Sequence, residues 1–130
     1  MAEMSNFLEN ALLNATLNAT TYTAPANIYV SLWTSDPTDA GSGTEVSTVG
    51  TGYARTAVTF AVPSNGVTTN DADVTFPTAT ASWGTVGWIG INDAITGGNL
   101  LYHTALDTSK TIDTGDIFKI STGNLSVTLA

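Results

Sequence analysis

From Asn27 to the C-terminus, apolar residues recur at every second position in short runs. Turn-forming residues interrupt these runs about every 8 to 12 positions. No stretch between turns is long enough for a crossover helix, so parallel α/β architectures are excluded. What remains is an all-β domain of antiparallel strands, folded as a two-sheet sandwich or a jelly-roll-like variant. Composition agrees. Charged residues make up 11% of the chain against 42% hydrophobic, and Thr supplies nearly a fifth of all positions. A β-branched hydroxyl residue suits the solvent face of a strand and is a poor choice for a helix surface.

One segment breaks the pattern. Over residues 5–18, Phe7, Leu8, Ala11, Leu12 and Ala15 fall on one helical face, and Leu13 and Leu17 widen it. Ser5 is placed to cap this N-terminal helix. The run Thr20–Thr23 and then Pro25 end it. The chain is therefore expected to form a single domain over 1–130 with a helix at 5–18.

Strands are expected at 28–34, 53–62, 74–77, 85–92, 100–106, 117–120 and 125–129, with short pieces possible at 67–72 and 111–112. Turns are expected at 35–37, at Pro63–Gly66, at Thr96–Asn99, at Asp107–Lys110, at Asp113–Asp116 and at Gly123–Asn124. Residues 38–52 carry four glycines and no period, and read as a long Gly/Thr-rich loop. The segment 79–84 reads as a loop presenting Trp83.

Charge narrows the partners. Eleven acidic residues against three basic ones leave a net charge of −8. Arg55, Lys110 and Lys119 cannot build a phosphate-binding patch, so no nucleic-acid partner is expected. No apolar run approaches a membrane span, so no membrane partner is expected. Met1–Asn10 has neither a basic nor an apolar leader region. The chain has no Cys, which excludes disulfides and thiolate metal sites. Sequons at Asn14, Asn18 and Asn124 read as by-products of an Asn/Thr-rich composition.

Chemistry is sparse. His103 is the only histidine, and Asp107 and Ser109 are its nearest candidate relay partners in sequence. Asp36, Asp39 and Glu45 form one acidic group and Asp71 and Asp73 another, without the spacing of an EF-hand. Gly84, Gly87 and Gly90 lie inside a strand pattern, where bulges or close backbone approach explain them better than a phosphate loop. Trp33, Trp83, Trp88, Tyr29 and Tyr53 read first as core, with Trp83 the best candidate for an exposed indole. No catalytic residue, metal ligand or cofactor is assigned, and the chain is read as not an enzyme.

Several stretches resemble a family of small tailed-phage virion proteins described as tail fibre or head decoration (cement) proteins. They are the opening SNFLENALLNATLNATTYTAPANIYVSLWTSDPTDAGSGTEV, the strand entry GTGYARTAVTF, the central VTFPTATASWGTVGWIGINDAITGGNLLYHTAL and the tail GDIFKISTGNLSVTLA. The resemblance implies a structural role in the virion, after synthesis in the host cytoplasm. A stalk or coiled-coil repeat is missing, which favours a capsid decoration protein on the outer shell over a tail-fibre module. A carbohydrate-binding module is the third reading. The expected partners are the major capsid protein or further copies in a homo-oligomer, with Phe7, Leu8, Leu12, Leu13 and Trp83 as the assembly surface.

Overall fold

The computed structural model describes residues 2–129, so the end positions of the expected domain, Met1 and Ala130, lie outside the described residues. The elements run β1 (Glu3–Met4), α1 (Asn6–Leu17), β2 (Ile28–Trp33), β3 (Thr56–Val58), β4 (Val67–Thr69), β5 (Val74–Thr75), β6 (Gly84–Asn92), β7 (Leu100–Ile112), β8 (Lys119–Ile120) and β9 (Ser126–Thr128). A five-stranded sheet has the order β1-β7-β6-β2-β3. Two ribbons, β4-β9 and β5-β8, form the opposing layer. Every pairing is antiparallel. The architecture is sandwich-like, β-rich and carries one short N-terminal helix, as the alternation of the sequence requires.

The core lies between the layers. Val30, Leu32, Val86, Ile89 and Ile91 face it from the large sheet. Val74, Phe76, Phe118, Leu125 and Val127 close it from the other side. Each such side chain contributes about 1.5–3 kcal/mol on full burial. An aromatic chain runs through this space. Trp83 meets Tyr53 edge-on at 5.4 Å, Tyr53 stacks on Phe76 at 6.2 Å, and Phe76 meets Phe118 edge-on at 5.6 Å.

Several sequence expectations are corrected. The strand expected at 53–62 divides. Its first part, β3, extends the large sheet beside β2. Phe60 then bridges to Asn70, and the Ala61 N–H bonds to the Thr69 carbonyl, so the chain crosses to the other layer. The turn expected at Asp107–Lys110 is not a turn. β7 is continuous from Leu100 to Ile112. Trp88 pairs with Ala105 and Val86 with Lys110, so residues 106–109 bulge opposite Gly87 alone. The polar Asp-Thr-Ser run marks that bulge.

The 38–52 loop is also more ordered than its composition implies. The Thr34 N–H bonds to the Thr44 carbonyl and the Val46 N–H to the Leu32 carbonyl, so this loop prolongs the edge that β3 begins. The turn at Pro63–Gly66 forms as expected, with Asn65 and Gly66 both at positive φ (53° and 76°).

The face of β2 turned away from the core is buried too. Trp33 Nε1 donates to Ser31 Oγ (2.8 Å), and Ser31 Oγ donates to Asn92 Oδ1 (2.6 Å). Gly90 lies beneath this network. A Cβ there would stand 2.7 Å from both Leu100 Cδ1 and Ser31 Oγ, and 3.0 Å from Trp33 Nε1. The glycine is required by close approach, as its place inside a strand pattern suggests. Gly90→Ala is expected to lower stability by about 1–3 kcal/mol, read as a reduced urea midpoint at unchanged slope.

Candidate functional site

Helix α1 is docked at its start and bare at its end. The Ser5 hydroxyl accepts the Leu8 N–H (3.2 Å) and donates to the Leu100 carbonyl. The Ser5 N–H bonds to the Leu101 carbonyl (2.8 Å) and the Asn6 N–H to the Asp39 carbonyl (2.9 Å). This pins the first turn against β7 and buries Leu8. At the far end Asn18 caps the helix through its N–H to the Asn14 carbonyl. Between them, Phe7, Leu13 and Leu17 are 41%, 55% and 74% exposed.

The expected assembly surface therefore divides. Phe7 and Leu13 face solvent, Leu12 is half-buried, and Leu8 belongs to the interior. Trp83 is corrected: only 4% of it is exposed, because its indole N–H reaches the Thr51 carbonyl (2.8 Å) and its ring packs on Tyr53. Trp33 is buried as well. A sugar platform built on these two indoles is thereby overturned.

A second constellation joins the loop, β3 and the β6–β7 turn. The Arg55 guanidinium grips Glu45 with both arms, Nε at 2.9 Å and Nη2 at 2.8 Å. Its Nη1 donates to the carbonyls of Ala94 (2.9 Å) and Gly97 (2.8 Å). Tyr53 donates its hydroxyl to Glu45 Oε2 (2.6 Å) and accepts the Leu32 N–H (3.0 Å). The hydrogen bond that Arg55 donates to Glu45 is the main cause that raises the Arg55 pKa above its ordinary value. Burial, then Glu45, pushes the Tyr53 hydroxyl far above its ordinary 10.0. This is the Gly-Tyr-Ala-Arg segment of the sequence, and its chemistry is structural: one cation ties three segments together.

His103 is nearly buried on β7, and its Nε2 lies 2.8 Å from Asp39 Oδ1. The neighbours considered from sequence, Asp107 and Ser109, lie in the bulge, and the bonded acid is Asp39 from the long loop. Sequence reasoning missed this grouping because residues 39 and 103 carry no shared motif. Asp36 serves the turn expected at 35–37, its Oδ1 accepting the Thr38 N–H (2.9 Å).

With this geometry in view, a family model described as podophage GP4 fiber I protein gp80 matches residues 3–128. The chain belongs to this family. The match begins at the first residue of β1 and ends at the last residue of β9. No curated protein matches the chain. Membership of a phage fibre family makes the chain a structural protein of the virion.

Two outcomes follow from the Arg55 network. Glu45→Ala is expected to cost about 1.5–3 kcal/mol in chemical denaturation, because the guanidinium and the Tyr53 hydroxyl both lose their acceptor. A phenol whose pKa is raised by folding contributes stability that is complete below its unfolded value and fades as pH rises. The protein should therefore lose stability above pH 10, the ordinary tyrosine value. Tyr53 should ionise only with unfolding, so part of the tyrosinate absorbance should appear in step with loss of tryptophan fluorescence.

Proposed function

We propose that this chain is a non-enzymatic building block of the fibre apparatus at the phage tail. The observation that carries this reading is the fibre family match across the whole folded unit, residues 3–128. Among the described residues, every buried side-chain polar atom has a hydrogen-bond partner, as a stable structural module requires. The lack of a stalk, which favoured the capsid surface on sequence grounds, is equally compatible with a compact module in a fibre assembled from separate chains.

Assembly would use the solvent side of α1. Phe7, Leu13 and Leu17 project there, and the surface carries a strong net negative charge that keeps free copies apart. The partner of this face is a neighbouring subunit of the particle, either another virion protein or a further copy of the chain.

Quantitative electrophoresis of purified virions tests the location. About a dozen copies or fewer per particle fits a fibre at the tail, where low-order symmetry rules. Hundreds of copies would instead identify a capsid decoration protein and end the fibre reading. Leu13→Asp with Leu17→Asp tests the surface. Both side chains are exposed, so each change should alter stability by only about 0.5 kcal/mol. Incorporation into particles should nonetheless fall sharply, and unchanged incorporation would remove α1 from the interface.

A further inference from the structure

We propose that Glu3, Asp39 and His103 form a binding site for one divalent transition-metal ion of the zinc class. Their ligand atoms lie within 4.8 Å of one another. His103 Nε2 stands 2.8 Å from Asp39 Oδ1 and 3.9 Å from Glu3 Oε2. Ligands on a tetrahedral ion with bonds of about 2.0–2.1 Å sit about 3.3 Å apart. The two observed distances bracket that spacing. One carboxylate must retreat by roughly half an ångström and the other approach by about as much, as the same ligand spacing requires.

The side chains are suited to that adjustment. The imidazole is the fixed member, with 5% of its side chain exposed on β7. The carboxylates are the movable members, 72% exposed for Glu3 and 48% for Asp39. Glu3 and His103 also line an open pocket of about 380 Å³, where water can complete the coordination.

Charge favours a cation here. Asp36 Oδ1 faces the other imidazole nitrogen at 3.9 Å, so three carboxylates surround one ring. Asp107 lines the same pocket. Among the described residues, Arg55 is paired with Glu45 and Lys119 with Asp73, and neither Lys nor Arg is paired with these three carboxylates. One imidazole nitrogen with two carboxylate oxygens selects zinc, nickel or copper over magnesium, which holds its water and takes oxygen ligands.

The bound ion would staple β1, the 38–52 loop and β7. These segments are far apart in sequence, and closing such loops is where a cross-link stabilises most. A plain His–Asp pair that only fastens the loop to β7 is the competing account, and the test separates the two.

The intact chain is titrated with zinc chloride and with magnesium chloride, followed by calorimetry and thermal melting. The expected result is one zinc per chain, a melting temperature raised by several degrees and reversed by chelator, and no effect of magnesium. Glu3→Gln, at a mostly exposed position, should leave the fold intact and weaken zinc binding by roughly an order of magnitude. His103→Ala should abolish the zinc-dependent shift. Because the chain has one histidine, imidazole nitrogen resonances report the site directly, and Nε2 should move on zinc addition. No zinc-dependent shift, an equal response to magnesium, or an unchanged response in Glu3→Gln together with an unmoved imidazole would overturn the site.

Discussion

Burial of the apolar face of β2 and β6 is the interaction on which the other elements depend. Val30 and Leu32 on β2 and Ile89 and Ile91 on β6 make a continuous wall. The layer opposite consists of two separate two-stranded ribbons, β4-β9 and β5-β8. Ribbons of that size do not hold together alone in water. They persist because Val74, Phe76, Phe118, Leu125 and Val127 lose water against this wall. Asn70 then fastens the ribbons to each other. Its amide donates to the Ala72 and Ser121 carbonyls, and its oxygen accepts the Leu125 N–H.

Polar chemistry is used sparingly and locally. With three basic residues in the chain, ionic networks cannot be widespread. Arg55 is used where one planar guanidinium can satisfy a carboxylate and two carbonyls at once. Elsewhere hydroxyls and amides do the fastening: Ser5 between helix and sheet, Ser31 with Asn92 inside, Thr51 at the Tyr53 turn. A Thr- and Asn-rich composition is what such a scheme needs.

How far the fold was legible follows from the range of the forces involved. Helix α1 was readable because Ser5 caps it locally and its apolar spacing is local. β2 and β6 were readable because period-2 alternation is local, and so was the Asn65–Gly66 turn. The division of the 53–62 strand was not readable, since only the distant Asn70 and Thr69 draw Phe60 and Ala61 away from the large sheet. The continuity of β7 was hidden because polar residues at 107–109 signal a turn as readily as a bulge. Trp83 looked exposed amid Thr, Ser and Ala, yet its burial is decided by Tyr53 and Thr51, some thirty residues earlier. The pairing of His103 with Asp39 spans 64 residues and left no pattern for a sequence reader to find.

The docking of Ser5 also orders events in time. Its partners Leu100 and Leu101 lie near the other end of the chain. A twelve-residue helix is marginal in water without tertiary support. During synthesis, α1 can gain its Asn6–Asp39 contact early, but the docking of Ser5 waits until β7 has left the ribosome. The buried side of α1, around Leu8, is thus sealed only once Leu100, 95 residues beyond Ser5, has been joined, and until then the nascent chain carries it uncovered.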